Sequence, residues 1–203
     1  MLAQEGIFSD DKKIRLPYIP RRIGIITSPT GAVIKDILHR LDDRFPRPVI
    51  IWPVTVQGSS CASEVSAAVD GFNSDGFKEN DRPDLLIIAR GGGSVEDLWG
   101  FNDETIVRSV AKSRIPVISA IGHETDLTLL DFVSDFRAPT PSAAAEIAVP
   151  VRSDLLAQIR AFDQRLVRSI NNFSKIQRDK LKDLDASFPS PDLFLFNRTQ
   201  FLD

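Results

Sequence analysis

Two polar segments that directly follow apolar runs carry the side chains best suited to chemistry. Arg90-Gly-Gly-Gly-Ser94 follows Asp84-Leu-Leu-Ile-Ile-Ala89, and Gly122-His-Glu-Thr-Asp126 follows Ile115-Pro-Val-Ile-Ser-Ala-Ile121. Consecutive glycines let backbone N–H groups point at an oxyanion, and an arginine adds a planar, permanently charged cation. A histidine transfers protons near neutral pH. The first segment therefore favours phosphate binding, and the second favours acid–base chemistry.

Composition limits the class of protein in which this chemistry would operate. The chain has 203 residues, 42% of them hydrophobic, which is enough for one full core plus an appendage or for two small domains. With one cysteine, no apolar signal stretch and no apolar run near the ~18 residues of a membrane span, we expect a cytoplasmic protein. The net charge of −3 provides no global basic field, so contact with nucleic acid would need local patches or another subunit.

Apolar strands alternating with helices predict an α/β fold. The strands are expected at 23–28, 49–56, 84–89 and 115–121, and the helices at about 32–44, 62–72 and 102–114. Thr30 is the expected N-cap of the first helix, and Ser94-x-x-Asp97 resembles a capping box that opens a short helix. Pro53 places its strand at an edge or a bulge.

This alternation is typical of a doubly wound, mostly parallel sheet, here of four or five strands with right-handed crossovers. In such sheets ligands bind outside the carboxyl ends of the strands. Ser28, Arg90 and His123 all fall at such ends. We therefore expect one site at this edge of the sheet.

A long amphipathic helix is predicted after Thr140-Pro141, with Thr as the N-cap and Pro at the first helical position. Pro150 is the one strong breaker before Phe188-Pro189. A coiled-coil-like seam that weakens towards its end runs through Leu155, Ile159, Phe162, Leu166, Ser169, Phe173, Ile176 and Lys180. We therefore predict four regions: an extended lead-in at 1–22, an α/β domain at 23–140, a long helical arm at 141–187 and a tail at 188–203.

Three segments together resemble the catalytic domain of the exodeoxyribonuclease VII large-subunit family. They read IGIITSPTGAVIKD from residue 23, ARGGGSVEDLW from residue 89, and GHETD through RAPTPSAAAE from residue 122 to 146. The match runs from about Arg15 to Val149 and continues into the helical arm. The family architecture joins an N-terminal oligonucleotide-binding domain, this α/β nuclease domain and a helical region that recruits small subunits, so the chain resembles a fragment of that subunit.

The resemblance implies hydrolysis of single-stranded DNA from either end, giving oligonucleotides and nucleoside 5′-phosphates. It also implies association with the family's small subunit through the helical arm, with a homo-oligomer as a further possibility. Four positions match the family's catalytic set: Asp36, Arg90, His123 and Asp126. Members of this family are noted for activity without a divalent metal, so we predict no obligatory cofactor.

Each of these four residues has a physical role on this reading. Arg90 would hold the scissile phosphodiester and stabilise the charge that develops on its oxygens. His123 would activate water as a general base or, as a less favoured route, attack phosphorus. Asp126 would orient the imidazole or protonate the leaving oxygen, and the role of Asp36 is open. The expected phosphate-binding residues are Ser28, Thr30, Gly91, Gly92, Gly93 and Ser94.

Structural explanations compete with each of these roles. Asp36 would pair with Arg40 at i+4, His123 would be a hydrogen-bonded structural histidine, and Arg90 would brace a helix C-terminus. The three glycines would only form a tight connection. Trp99 and Phe101 are expected in the core rather than stacked on bases.

Two further alternatives concern metal and function. Glu124, Asp126, Asp131 and Asp135 provide oxygen ligands from which a magnesium site could form. The competing functions are an α/β domain that binds a phosphate ligand without chemistry, and a helical assembly scaffold.

Overall fold

The computed structural model describes residues 2–77, 81–92, 95–122 and 126–187. The chain forms two compact units, Met1–Arg152 and Ser153–Asp203. The first is an α/β unit and the second contains one long helix. The predicted tail at 188–203 lies outside the described residues.

The α/β unit is built on a five-stranded sheet in which all strands are parallel, in the order β2-β1-β3-β4-β5. The strands are β1 (Ile23–Thr27), β2 (Val49–Pro53), β3 (Leu85–Arg90), β4 (Val117–Ile121) and β5 (Phe136–Arg137). β1, β3 and β4 are buried throughout, as expected for continuous apolar runs in the interior of a parallel sheet. β2 lies at the edge, as Pro53 predicted, and it ends at this proline rather than at Val56 because proline has no N–H to donate.

The helices of this unit contribute to two separate hydrophobic cores. They are α1 (Ala32–Arg44), α2 (Cys61–Asn73), α3 (Glu104–Ala111), α4 (Leu129–Val133) and α5 (Pro141–Ala148), with 3₁₀ helices at Asp10–Lys12 and Val95–Asn102. Leu86 and Ile88 of β3 join the core that contains α2, α3 and α4. Leu85 and Ile87 join the core that contains α1 and α5. The alternation along β3 gives each face of the strand its own core, and the α/β prediction is confirmed.

Two predicted helix starts are corrected by one or two residues. α1 begins after Gly31, whose backbone is extended and which provides no side-chain cap, so Thr30 lies one position too early to be the N-cap. The Thr30 hydroxyl lies 3.4 Å from the Ser28 hydroxyl instead. α3 is capped by Asp103, whose Oδ1 accepts a hydrogen bond from the Thr105 N–H at 2.8 Å. The predicted capping box begins at Ser94, outside the described residues.

The lead-in is more closely packed than the sequence indicated. Leu2, Ile7 and Phe8 pack against the core of α2, α3 and α4, and the Phe8 ring contacts that of Phe132 with centroids 6.2 Å apart. The prediction of an extended segment that does not pack is therefore wrong for its first residues. The apolar side chains explain the difference, because they cover the core beside α4 and exclude water from it.

The helix predicted from Thr140 to Phe188 is two helices. Thr140 caps α5 as predicted, because its hydroxyl oxygen accepts a hydrogen bond from the Ala143 N–H at 3.1 Å. The chain then leaves helical geometry around Pro150, which lacks an N–H and clashes with the preceding turn. α5 buries three alanines in the α/β unit.

The second unit contains α6 (Arg152–Ser187), which has 36 residues and buries none of them. At about 1.5 Å per residue it extends roughly 50 Å. None of the helices in the described ranges is both long enough and apolar enough to cross a membrane.

Candidate functional site

The strand order creates a crevice between the carboxyl ends of β1 and β3. The chain leaves β1 for the edge strand β2 on one side and continues from β3 to β4 on the other, so the connections diverge at this point. β1 ends at Thr27 and β3 ends at Arg90. The Thr27 hydroxyl donates a hydrogen bond to the Ala89 carbonyl at 2.7 Å and so ties the two strand ends together.

A cavity of about 740 Å³ opens at this crevice. This volume falls within the range of ordinary small-molecule and cofactor sites. Three of the predicted phosphate-binding residues, Ser28, Gly91 and Gly92, line it together with the predicted catalytic residue Arg90, whereas Thr30 does not. The described lining residues are Thr27, Ser28, Pro29, Gly31, Ala32, Val33, Pro53, Val54, Thr55, Val56, Gln57, Glu64, Arg90, Gly91 and Gly92.

The N-terminus of α1 forms one wall of this cavity, through Gly31, Ala32 and Val33. The first N–H groups of any helix lack partners within the helix, and the N-cap here supplies no side-chain acceptor. The positive end of the helix dipole adds to these donors. This wall is therefore suited to an anion such as phosphate.

Arg90 provides a second positive group at the same cavity. The residue is only 4% exposed. Its Nη2 lies 3.2 Å from Asp97 Oδ2, while its Nη1 is buried and has no hydrogen-bond partner among the residues that the structure describes. A buried donor without a partner is costly, and an anionic oxygen is its strongest acceptor. The observed partner of the Arg90 guanidinium is therefore Asp97, rather than the helix C-terminus that the structural alternative proposed.

The carboxyl end of β4 brings Asp126 to the same edge of the sheet. Ile121, the last residue of β4, pairs in register with Arg90, and Gly122 follows it with a φ of +68°. A Cβ on Gly122 would lie 2.9 Å from Asp126 Oδ2, so glycine is required both for its backbone conformation and for this close approach. The Asp126 carboxylate therefore lies directly beyond β4. His123, Gly93 and Ser94 lie outside the described residues.

Asp36 is exposed in the second turn of α1, three residues after Val33 of the cavity wall. The alternative pairing with Arg40 is not formed. Arg40 Nε instead lies 3.4 Å from Glu146 Oε1 of α5. This contact leaves the Asp36 carboxylate without an ion pair among the described residues.

Comparison with known proteins identifies the family. The model of the family described as "Exonuclease VII, large subunit" matches residues 7–203. The chain belongs to the exonuclease VII large-subunit family. The exodeoxyribonuclease 7 large subunit of Ruegeria pomeroyi is 58% identical over 205 residues, covering 100% of this chain and 42% of that protein.

Two further relatives have the same name. The protein of Ruegeria sp. (strain TM1040) is 55% identical, covering 100% of this chain and 40% of the relative. The protein of Parvibaculum lavamentivorans is 57% identical, covering 98% of this chain and 42% of the relative. The chain thus spans about two fifths of the length of these exonuclease VII large subunits.

The acidic residues considered for magnesium do not all lie at the site in this member of the exonuclease VII family. Asp131 accepts hydrogen bonds from the Ser119 hydroxyl at 2.6 Å and the Thr128 N–H at 2.8 Å. Asp135 accepts one from the N–H of Val117, at the start of β4, about 16 Å of strand from Gly122. Glu124 lies outside the described residues. Across the described ranges, no group of three His, Cys, Asp or Glu side chains could hold a metal ion.

The sequence does not indicate Asp97 and Glu64 as site residues. The local pattern around Asp97 indicates only a capping role, because its partner Arg90 is bound across a turn rather than at helical spacing. Glu64 lines the cavity, and its Oε2 accepts a hydrogen bond from the Thr55 N–H at 2.7 Å. This bond, with a smaller contribution from Ser60, holds the pKa of Glu64 below its usual value. No sequence motif distinguishes Glu64 from an ordinary acidic residue in the first turn of a helix.

The two aromatic residues near the glycines differ in burial. Phe101 is fully buried, as predicted, whereas Trp99 is 72% exposed, so the prediction that it lies in the core is wrong. The 3₁₀ geometry explains the difference, because side chains three residues apart share one face. Leu98 and Phe101 occupy the buried face, and Trp99 lies off it.

Proposed function

We propose that this chain is the catalytic part of an exodeoxyribonuclease. It hydrolyses phosphodiester bonds of single-stranded DNA from either end and releases oligonucleotides and nucleoside 5′-phosphates. The observation that carries the proposal is the buried Arg90 with an unpartnered Nη1, which lines a cavity beside the uncapped N-terminus of α1. The names of the relatives point to the same activity.

The phosphate of the scissile linkage binds between Arg90 and the first turn of α1. Gly91, Gly92, Gly93 and Ser94 contribute backbone or hydroxyl donors. Ser28 lines the cavity after β1, and Thr30 acts through its hydroxyl, which lies 3.4 Å from that of Ser28. In the transition state negative charge grows on the nonbridging oxygens. Fixed donors in a partly water-excluded site stabilise that charge more than water does.

His123 accepts the proton of the attacking water and Asp126 orients its imidazole or protonates the leaving oxygen. Asp36 contributes from the second turn of α1, where its carboxylate has no ion pair among the described residues. We propose that no metal ion is obligatory, because the guanidinium and the helix N-terminus supply the positive charge that a metal ion supplies in other nucleases. The engagement of Asp131 and Asp135 in other hydrogen bonds supports this proposal.

The test is hydrolysis of labelled single-stranded DNA with chelator present, with duplex DNA as the control. His123→Ala should lower turnover by about two to four orders of magnitude while DNA still binds. A domain that only binds phosphate ligands has no turnover to lose. The phosphate-binding alternative would be favoured if the wild-type chain, assembled with its small subunit, bound DNA tightly but did not cleave it.

We further propose that the sheet is doubly wound, with α1 and α5 on one face and α2, α3 and α4 on the other. The membership of the two cores supports this arrangement. It leaves the carboxyl edge of the sheet as the open side of the unit.

The α6 helix is proposed to bind the small subunit as a coiled coil. Exposed apolar residues recur at eleven-residue spacing, as Ile159, Ile170 and Leu181 and as Phe162, Phe173 and Leu184. The heptad seam instead reaches Ser169 and Lys180, so the eleven-residue frame fits better. Its 3.67 residues per turn favours a right-handed supercoil. With eight Lys and Arg against five Asp between Arg152 and Ser187, the helix suits an acidic partner helix.

A charged residue introduced among the exposed apolar residues of α6 tests whether this helix binds the small subunit. Phe173→Asp should abolish co-purification with the small subunit, because it places a carboxylate in an apolar seam. Asn171→Asp, two residues away and so about 160° from Phe173 around the helix, is the matched control and should leave association intact. Association that survives Phe173→Asp would contradict the proposed seam, and loss of self-association alone would point to a second copy of the chain as the partner.

A further inference from the structure

Arg90 forms an ion pair with Asp97 through one edge of its guanidinium. Asp97 Oδ2 lies 3.2 Å from Nη2. The Arg90 side chain is 5% exposed, whereas that of Asp97 is 41% exposed. The arginine is therefore fixed in the protein interior, and the aspartate reaches it from the surface.

A guanidinium held in this way has a defined direction. Its five N–H donors lie in one plane, so fixing Nη2 restricts where Nη1 donates. Nη1 is the atom left without a partner, in a residue that lines the cavity. A carboxylate on one edge thus leaves the other edge for a phosphate oxygen.

The segment that carries Asp97 also contacts the other half of the site. The next residue, Leu98, is buried, and its Cδ1 would lie 3.2 Å from a Cβ placed on Gly122. Gly122 is the residue against which the Asp126 carboxylate packs. Asp97 and Leu98 therefore connect the ends of β3 and β4 through one short 3₁₀ helix.

We propose that Asp97 is a positioning residue that orients the Arg90 guanidinium towards a phosphate oxygen of bound single-stranded DNA. The proposal rests on the nuclease function above. Asp97 does not touch the substrate and acts through Arg90. It also lowers the net positive charge near the phosphate, so its contribution appears in turnover rather than in affinity.

Two substitutions separate orientation from simple charge neutralisation. Asp97→Asn removes the charge and keeps the shape, whereas Asp97→Glu keeps the charge but lengthens the side chain by one methylene. If orientation matters, both variants lose turnover, by about 10- to 100-fold, because a displacement near 1 Å is enough for such a loss. Asp97→Asn should bind DNA at least as tightly as the wild type. The matched control is Asp75→Asn, which removes an exposed partner 3.5 Å from Arg82 Nη2.

The assay uses the complete chain with its small subunit, measures turnover and DNA affinity separately, and follows the thermal unfolding midpoint. We expect Asp97→Asn and Asp97→Glu to lose turnover and to retain their affinity for DNA. The control Asp75→Asn should keep both the turnover and the DNA affinity of the wild type. Wild-type turnover in Asp97→Glu would overturn the proposal. It would also be overturned if the loss of turnover in Asp97→Asn were explained entirely by a smaller fraction of folded protein. The wild type and Arg90→Ala in the same assay separate the two claims. If the assembled wild type does not cleave DNA, the nuclease assignment fails. If the wild type cleaves, Arg90→Ala loses turnover and both Asp97 variants cleave normally, the positioning role alone fails.

Discussion

The amino and carboxyl edges of the sheet differ in how the backbone N–H groups beside them are satisfied, although a buried arginine nitrogen lacks a partner among the described residues at each edge, Arg82 Nε at the first and Arg90 Nη1 at the second. At the amino edge, Asp84 accepts hydrogen bonds from the N–H groups of Arg21 and Arg22, and Asp135 accepts them from Ile14 and Val117. At the carboxyl edge, the first turn of α1 has no side-chain cap and no described residue bonds Arg90 Nη1. The same strands run between both edges. Carboxylates therefore stabilise the fold at one edge, while unused donors at the other are available to a ligand.

The largest effect is expected from changing the donor geometry at the carboxyl edge. Arg90→Lys keeps the positive charge but loses the planar fork that binds Asp97 and phosphate together. Turnover on single-stranded DNA should fall by about 10²- to 10³-fold. Cleavage of end-labelled DNA with chelator present measures this, and circular dichroism checks folding. Near wild-type turnover would mean that charge alone, without geometry, is sufficient.

Substitutions at the amino edge should lower the free energy of unfolding and leave turnover unchanged. Asp135→Ala removes the acceptor of two backbone hydrogen bonds, at 2.6 and 2.7 Å. The free energy of unfolding should fall by about 2–4 kcal/mol, because each bond involves a charged acceptor. Denaturant unfolding measures this loss. Turnover per folded molecule should remain unchanged, and a large drop in it would contradict the division between the two edges.

A carboxylate added at the N-terminus of α1 should stabilise the fold and weaken DNA binding at the carboxyl edge. Gly31→Asp provides an N-cap acceptor at a position whose backbone is extended and where a Cβ meets no atom closer than 3.8 Å. Stability should rise by a few tenths of a kcal/mol, while DNA affinity falls about tenfold because the new charge repels phosphate. Gly31→Ser is the neutral control, with similar stability and a smaller loss of affinity. Unchanged affinity in Gly31→Asp would remove α1 from the site.

The smallest effect concerns a thiol beside the carboxyl edge. Burial raises the pKa of Cys61 from 9.0 to about 11, with Glu64 adding to the rise and Arg90 opposing it. The folded state therefore holds the thiol proton more tightly than the unfolded state. The stability linked to this group is complete below pH 9 and is lost as the pH rises towards 11. Unfolding at several pH values should show a steeper alkaline loss in the wild type than in Cys61→Ala, and parallel curves would exclude this linkage.

The sequence predicted best those strands whose burial follows from a continuous run of mostly apolar residues. β1, β3 and β4 are unbroken apolar runs, so their burial and the placement of Ser28 and Arg90 at strand ends followed directly. α4 and β5 have five and two residues, too few for a periodic signal, and depend on tertiary contacts. The ion pair between Asp97 and Arg90 could not be predicted for a similar reason, because it spans a turn and depends on tertiary contacts. The geometry of His123 stays a prediction.

The most direct test of the account is the location of DNA on the sheet. A structure of the assembled enzyme with a hydrolysis-resistant single-stranded oligonucleotide should place a phosphate oxygen about 3 Å from Arg90 Nη1 and within reach of the first N–H groups of α1. Asp97 should still contact Nη2 in that complex. An oligonucleotide bound elsewhere, with Arg90 contacting only Asp97 and no phosphate at the N-terminus of α1, would contradict the account.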